Sequence, residues 1–382
     1  MDTLQAADTG IWTRAFSNRR NDLITDEVIA KLPQESQAGL RQFSVERLMA
    51  YGVHHADAVE LRARVAFGER WQTVATNLAE ECLAPPPGEI APPSAVTRAN
   101  RLYRASALIR MSQMMMLTNT DERYDIYRRA AQLYAEAAAI TDDRFRREID
   151  TRAGPVALWR YPAKTDKALA RVIVIGGVEG WAMDFSEMGT TLSALGMEAI
   201  LIDQPGQGET RMVLGTYLRR NWLDAYRDVI DVFEHEESLP LATVGLSMGG
   251  SFAIHLAANE PRILACCDNG GTSLPIGAKT MPVPYQRITA HCGDVGEAEV
   301  DAIWQTVKPV DPENPVRCPL LIVHGELDPL ISKMDATHLF NSAASTDKTM
   351  AIYSDGDHCL YNHSDDKHAL IGDWLTSRLT RA

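Results

Sequence analysis

The chain has 382 residues, of which 45% are hydrophobic and 23% charged, and this suggests about two globular domains with ample core. Its net charge of −13 opposes binding to nucleic acid or to an anionic membrane surface, and no apolar run approaches the ~18 residues of a membrane span. The N-terminus lacks the basic start and apolar core of a signal peptide.

Cysteine usage adds expectations about location and metal binding. The six cysteines are scattered along the chain, and none has the CxxC or Cys/His spacing of a metal site. We therefore expect free thiols, no bound metal and a cytoplasmic location. Cys266 and Cys267 fall in a predicted strand and are interpreted as buried small apolar side chains.

Residues 1–146 carry helical patterns with little strand signal, and we predict that they form a separate helical domain. Two short helices precede a longer one over about 55–84. The proline-rich segment 85–93 cannot be helical and is predicted to be a stiff connector. Two further helices are predicted over about 95–117 and 121–140, the second capped by Thr120.

From residue 147 the pattern changes to alternating strands and helices. An antiparallel hairpin, 148–151 with 156–161, opens this second domain, 147–382. The alternation that follows predicts a mostly parallel, doubly wound α/β sheet covered by helices on both faces. Residues 271–309 separate two of the strands, and we expect this insertion to form part of the rim of an active site.

Residues 245–249 read Gly-Leu-Ser-Met-Gly and lie between a predicted strand and a predicted helix. A Gly-x-Ser-x-Gly pattern at such a junction is typical of a nucleophile elbow, in which a tight turn strains the serine backbone and exposes its hydroxyl. Glycines flank the serine because a side chain there would collide with the neighbouring strand and helix. We predict that Ser247 is a nucleophile.

Two later residues would complete a catalytic triad. Asp328 and His358 each follow an apolar predicted strand. The carboxyl ends of parallel strands share one edge of a sheet, so we expect these side chains to meet Ser247 there. The histidine would take the serine proton, and the aspartate would orient the histidine. Asp268, which also follows a predicted strand, is an alternative acid.

An acyl-transfer site also needs donors for the oxyanion. The backbone N–H of Met248, directly after the nucleophile, supplies one. The second is expected from the loop after the first parallel strand, at Val178, with Gly177 as the alternative. Gly177, Glu179 and Trp181 are also candidate substrate contacts in this loop. Glu179 is alternatively interpreted as a brace that holds the loop by hydrogen bonds.

Several motifs occur in the order found in one group of α/β-hydrolases. They are Gly176-Gly177-Val178-Glu179, Asp203-Gln204-Pro205-Gly206-Gln207-Gly208-Glu209, Gly245-Leu246-Ser247-Met248-Gly249-Gly250, Glu260-Pro261-Arg262 and Gly356-Asp357-His358-Cys359. In these motifs the chain closely resembles the dihydroxypseudooxynicotine hydrolase group, within the broader FrsA-like esterase set. The resemblance covers residues 95–380 well and the first 90 residues poorly.

This resemblance implies an α/β-hydrolase fold with a helical N-terminal cap, no metal or organic cofactor, and often a homodimer. The namesake of the group cleaves a carbon–carbon bond between an aryl ring and a ketone carbonyl. Related fungal proteins shorten polyketide chains by similar chemistry, and others are plain esterases. The substrate is not implied, because the match is poorest in the cap that selects it.

The leading hypothesis is a serine hydrolase that splits a C–C bond in an aryl or polyketide-type β-dicarbonyl, with a small molecule as its substrate. The alternative within enzymes is a carboxylesterase or thioesterase with the same triad. A binding protein built on a hydrolase fold is a third hypothesis, but binding alone would require neither Ser247 nor His358. No nucleic-acid or membrane partner is expected.

Overall fold

The computed structural model describes residues 23–84 and 91–380, and these form two compact units. The first unit comprises the described residues up to Met116 together with Thr120–Asp142, and the second comprises Leu117–Asn119 and the described residues from Asp143 onward. The chain passes between them at 142/143, near the boundary predicted at 146. Most of the predicted proline-rich connector, residues 85–90, lies outside the described residues.

The described part of the first unit is helical. Thr120 caps the last of its helices, as predicted, because its hydroxyl accepts a hydrogen bond from the Arg123 amide. Its helices are α1 (Asp26–Ile29), α2 (Gln34–Gln42), α3 (Val45–Ala50), α4 (His55–Ala66), α5 (Trp71–Leu83), α6 (Ala95–Ser112) and α7 (Asp121–Thr141).

The prediction of a single helix over about 55–84 is wrong, because two helices, α4 and α5, occupy this stretch. Gly68 lies between them with φ +103°, a conformation that residues with a side chain rarely adopt and that ends a helix. Helix α6 also ends at Ser112, earlier than the predicted 117. Helical periodicity continued through both stretches and hid these breaks.

The second unit is built on one sheet of eight strands in the order β1-β2-β4-β3-β5-β6-β7-β8. The β1–β2 hairpin is antiparallel and β2 pairs antiparallel with β4, whereas all the other pairs are parallel. The predicted fold class is therefore confirmed. The strands are β1 (Phe145–Ile149), β2 (Val156–Tyr161), β3 (Ala170–Ile175), β4 (Met197–Asp203), β5 (Leu241–Leu246), β6 (Ile263–Asn269), β7 (Leu320–Gly325) and β8 (Lys348–Tyr353).

Helices connect the parallel strands and cover the sheet. Strands β3, β4, β5 and β7 are buried at every residue, as expected for strands with helices on both faces. Cys266 and Cys267 on β6 are fully buried, as predicted. The helices of this unit are α8 (Ser186–Ala194), α9 (Gly208–Met212), α10 (Trp222–Glu236), α11 (Met248–Asn259), α12 (Pro282–Cys292), α13 (Glu297–Trp304), α14 (Lys333–Ser342) and α15 (Ser364–Leu379).

The insertion predicted over 271–309 leaves the carboxyl end of β6 and contains a 3-10 turn, Pro275–Thr280, followed by α12 and α13. None of the six cysteines, all of which lie in the described ranges, forms a disulfide. Within the part of the chain that the structure describes, no helix is both long and apolar enough to cross a bilayer.

Candidate active site

Ser247 occupies a tight turn between β5 and α11. Its backbone has φ 54° and ψ −130°, a conformation that is strained for any residue with a side chain. A Cβ atom on Gly249 would overlap the carbonyl oxygen of Ile175, and a Cβ atom on Gly245 would overlap that of Gly249. The predicted strain and the predicted need for flanking glycines are both confirmed.

Three side chains from separate strand ends form one chain of hydrogen bonds at the carboxyl edge of the sheet. Nε2 of His358 lies 2.8 Å from Oγ of Ser247, and Nδ1 of His358 lies 2.7 Å from Oδ2 of Asp328. A carboxylate only accepts hydrogen bonds, so Nδ1 carries a proton, and in the neutral imidazole Nε2 accepts from the serine hydroxyl. This arrangement fits a general base poised beside a nucleophile.

The loop after β7 fixes the position of Asp328. The other carboxylate oxygen, Oδ1, accepts the amides of Leu330 at 2.8 Å and Ile331 at 3.0 Å. Asp268, the alternative acid, is fully buried at the end of β6 and accepts the Gly271 amide instead. The geometry therefore favours Asp328 as the partner of the histidine.

The loop after β3, residues 176–181, packs directly against Ser247 and is called the oxyanion loop below, after the role predicted for it. A Cβ atom on Gly177 would lie 2.7 Å from Cβ and 3.2 Å from Oγ of Ser247. Val178, the predicted second oxyanion donor, follows Gly177 in a turn closed by a hydrogen bond from the Gly180 amide to the Gly177 carbonyl, 3.0 Å. Met248 is the first residue of α11, a position whose amide has no acceptor within its helix.

Comparison with known proteins agrees with this architecture. The 2,6-dihydropseudooxynicotine hydrolase of Paenarthrobacter nicotinovorans is 24% identical over 349 residues, which cover 86% of this chain and 90% of the relative. The crystal structure of the 2,6-dihydroxy-pseudo-oxynicotine hydrolase matches with a TM-score of 0.74 at 22% identity, covering 88% of this chain and 96% of that one. The chain has the α/β-hydrolase fold. The group resemblance that the motifs indicated is confirmed.

Two further comparisons agree with this fold. A family model described as serine aminopeptidase, S33, matches residues 166–267 and 301–365. The structure of wild-type AbyA5 matches with a TM-score of 0.69 at 16% identity, covering 90% of this chain and 99% of that one. The interval between the two matched segments contains α12, so much of the insertion after β6 lies outside the shared family pattern.

The electrostatic environment of the hydrolase's candidate triad favours a charged pair. Burial alone lowers the pKa of His358, but interactions with Cys359 and with the Asp328 carboxylate outweigh burial and raise that pKa to about 9. Burial raises the pKa of Asp328, but the hydrogen bond and charge of His358 and the two loop amides bring it below its usual value. An imidazolium formed during reaction would therefore be stabilised.

Side chains after β4 hold the oxyanion loop in place. Nε2 of Gln207 donates to the Gly177 carbonyl at 2.5 Å, and Oδ1 of Asp203 accepts the Ala182 amide at 2.7 Å just beyond the loop. In the sequence this segment is recognisable only as the motif 203–209, which predicts no role for Gln207. A glutamine four residues after the end of a buried strand carries no signal by itself that it braces another loop.

Glu179 and Trp181, the candidate substrate contacts of the oxyanion loop, are both buried. The Glu179 carboxylate accepts from Nη2 of Arg211, with distances of 3.3 and 3.4 Å to its two oxygens. Glu179 also has φ +62°, a left-handed conformation in the turn that follows Gly177. Its contacts support the interpretation of Glu179 as a brace, and its role in substrate binding stays a prediction.

Asn269, at the end of β6, links Ser247 to the loop that carries His358. Its carbonyl accepts the Ser247 amide at 2.8 Å, and its side-chain Nδ2 donates to the Cys359 carbonyl at 3.1 Å. Nζ of Lys367, from α15, donates to the same carbonyl at 3.0 Å. Asn269 and Lys367, neither of which was singled out from the sequence, therefore position the residue next to His358.

The loop held in this way is strained. Cys359 and Leu360 have φ values of 55° and 52°, so two consecutive residues with side chains adopt the left-handed conformation. The Cys359 thiol donates to the Asn269 carbonyl at 3.3 Å and lies 3.5 Å from Nε2 of His358. Asn269 and Lys367 both donate to the Cys359 carbonyl within this strained turn, and Lys367 does so although burial disfavours its charged form.

We expect Lys367→Met to make the hydrolase more stable and slower. Burial lowers the pKa of Lys367 to about 8. At pH 7 the buried ammonium therefore lowers the free energy of unfolding by about 3 kcal/mol, and this cost is absent above pH ~10.5. Losing one donor to the Cys359 carbonyl should lower kcat about tenfold. Thermal unfolding and kcat at pH 7 measure both effects, with exposed Lys308→Met as the control. Unchanged kcat would contradict the positioning role.

The described part of the chain also bears on metal binding. Within 23–84 and 91–380, no group of three or more His, Cys, Asp and Glu side chains is arranged to hold a metal ion. The structure places Nε2 of His358 and the backbone of Gly177 beside the Ser247 hydroxyl, and a serine next to a histidine can support nucleophilic chemistry.

Proposed function

We propose that this hydrolase is a serine hydrolase in which Ser247 is the nucleophile, His358 the general base and Asp328 the residue that orients the base. One observation carries the proposal: Nε2 of His358 lies 2.8 Å from the Ser247 hydroxyl while its Nδ1 lies 2.7 Å from Asp328. Those distances lie within the range for proton transfer through a hydrogen bond.

The proposed reaction begins when Oγ of Ser247 attacks a carbonyl carbon and its proton moves to Nε2 of His358. The amides of Met248 and Val178 bind the oxyanion that forms. The tetrahedral intermediate then collapses, the bond to the leaving group breaks, and the imidazolium returns the proton to that group. Water, activated by the same histidine, hydrolyses the acyl-enzyme and regenerates the serine.

We propose that the bond cleaved is a C–C bond next to a ketone in an aryl or polyketide-type β-dicarbonyl. The resemblance to the dihydroxypseudooxynicotine hydrolase group supports this choice, and the match to the relative named 2,6-dihydropseudooxynicotine hydrolase covers 86% of this chain. Breaking such a bond requires that the departing electron pair be stabilised, and in a β-dicarbonyl the second carbonyl stabilises it as an enolate. An ester or thioester would follow the same steps with a more stable leaving group.

A comparison of two substrates tests the proposal. The substrates are 1-phenyl-1,3-butanedione and p-nitrophenyl acetate, and products are followed by chromatography and by absorbance. We expect the diketone to be split into carboxylic acid and ketone with a kcat/KM at least tenfold above the background set by Ser247→Ala. Turnover of the ester alone would assign the hydrolase to the carboxylesterase or thioesterase class, and turnover of neither substrate would contradict the proposal.

The homodimer, the cytoplasmic location and the capping role of the helical unit stay predictions, as does a small molecule as the only partner. Sedimentation velocity of the full chain measures the first of these, with a mass of about 84 kDa expected for a dimer, twice the 42.2 kDa of one chain. A single species at the mass of one chain would contradict it.

A further inference from the structure

Arg211, in the short helix α9, has a buried guanidinium whose donors are incompletely used. Its side chain is 1% exposed, and Nη2 contacts the Glu179 carboxylate at 3.3 Å. Among the described residues, Nε and Nη1 have no hydrogen-bond partner. Buried polar groups are almost always paired, and an unpaired donor on a charged group is especially costly, so these two nitrogens require an explanation.

The position of Arg211 relative to the oxyanion loop suggests the explanation. Arg211 lies four residues after Gln207, and the Arg211 amide donates to the Gln207 carbonyl, so both side chains lie on one side of this helical turn. The Gln207 side chain reaches the Gly177 carbonyl, and Arg211 reaches Glu179, two residues further along the same loop. Two residues span at most about 7 Å of backbone, and Gly177 contacts Ser247.

The chemistry of the guanidinium limits what it would bind. Nε and Nη1 can only donate, and the group is always charged, so its partner must be an oxygen acceptor with substantial negative charge. The charge of Glu179 already balances that of Arg211, which favours a polarised keto, enol or enolate oxygen over a second full carboxylate. A β-dicarbonyl has such an oxygen a few ångströms from the carbonyl that the serine attacks.

We propose that Arg211 binds the second oxygen of a β-dicarbonyl substrate and stabilises the enolate that leaves when the C–C bond breaks. This rests on the proposed function above. When the bond between the attacked carbonyl carbon and the α-carbon breaks, its electron pair moves through the α-carbon onto the second oxygen, where Arg211 donates. The proton on His358 then passes to the α-carbon and gives a neutral ketone.

This role separates C–C cleavage from ester cleavage. An ester expels an alkoxide, whose negative charge is on the oxygen that His358 protonates, so Arg211 contributes little to that step. A preorganised donor aimed at charge that develops in the transition state is worth about 10²–10³ in rate. The ratio of diketone to ester turnover therefore measures the contribution of Arg211, whereas a purely structural brace would affect both substrates alike.

The test compares the wild type, Glu179→Gln, and the double variant Glu179→Gln with Arg211→Met. The double variant removes both charges together, so that no carboxylate is left buried and unpaired. For 1-phenyl-1,3-butanedione we expect kcat to fall about 100-fold in the double variant and less than fivefold in Glu179→Gln. For p-nitrophenyl acetate, where weakening of the brace affects both variants, we expect the kcat of the double variant to lie within threefold of that of Glu179→Gln. Equal losses on the two substrates in the double variant would overturn the proposal.

Failure of the proposed C–C activity gives a different result. If the wild type hydrolyses the ester but does not cleave the diketone, the diketone is used as a competitive inhibitor of ester hydrolysis. The Arg211 site then predicts an inhibition constant at least tenfold weaker in the double variant than in Glu179→Gln. An unchanged inhibition constant would overturn the site, even though the esterase activity remained.

Discussion

Replacing Ser247 by Ala should reduce kcat by about 10⁶-fold, to a small residual rate above the uncatalysed reaction. The substitution removes only Oγ, and alanine retains a Cβ atom in the strained turn at φ 54°. The His358–Asp328 hydrogen bond and the oxyanion loop do not depend on this oxygen, so the fold should be preserved. Measurements are kcat on p-nitrophenyl acetate and covalent labelling by a fluorophosphonate, which should be absent in the variant.

Ser251→Ala is the matched control for this experiment. Ser251 is a buried serine one turn later in α11, and its hydroxyl donates to the Thr272 carbonyl at 2.7 Å rather than to a histidine. We expect Ser251→Ala to keep fluorophosphonate labelling and most of the activity. Labelling that persists in Ser247→Ala would show that another residue is the nucleophile.

Replacing Asp328 by Asn should lower kcat by about 10⁴-fold with little change in overall structure. An amide at this position presents an N–H group to Nδ1 of His358, so the imidazole would carry its proton on Nε2 and could not accept one from Ser247. The amides of Leu330 and Ile331 would retain an oxygen acceptor, which should keep the loop folded. Steady-state kcat together with circular dichroism measures the two effects.

The pH profile gives an independent check on the same variant. Only the neutral imidazole can accept the serine proton, and the pKa of His358 is raised to about 9, so kcat/KM should increase with pH and approach its plateau above that value. Asp328 stabilises the imidazolium, so its removal should shift the midpoint of the remaining activity to lower pH. A midpoint that stays in place would contradict the charge coupling of this pair.

Asp268→Asn separates the two candidate acids. Burial raises the pKa of Asp268 to about 7 despite the hydrogen bond from the Gly271 amide, so a neutral amide in this position should be tolerated near neutral pH. We expect this variant to retain activity within a few fold. If it lost activity while Asp328→Asn did not, the orienting role would belong to Asp268.

The parts of the site that were predictable are those fixed by local sequence. A strand, a Gly-x-Ser-x-Gly turn and a helix specify the elbow at Ser247, and polar residues after apolar strands indicated Asp328 and His358 because parallel strands end at one edge. The fold class follows from the same alternation of strands and helices. Each of these signals can be recognised in a short stretch of sequence, without knowing which distant residues are in contact.

The unpredicted residues act through contacts between distant segments. Gln207 reaches Gly177 from 30 residues away in the sequence, and Asn269 reaches Cys359 from 90 residues away. Lys367 is a charged residue within a helix, so the sequence suggests an exposed position, although the side chain is buried. The break at Gly68 was missed for a related reason, because periodicity continued across a turn that only a positive φ reveals.

The two residues after His358 have left-handed backbone conformations, and these affect how the imidazole is held before a ligand binds. Left-handed backbone costs roughly 1–2 kcal/mol per residue with a side chain, and glycine would relieve that cost while adding freedom to the chain. By keeping Cys359 and Leu360 there, the hydrolase retains a turn with few alternative conformations. The imidazole is thus preorganised, and little of the binding energy of a substrate is needed to align it with the serine hydroxyl.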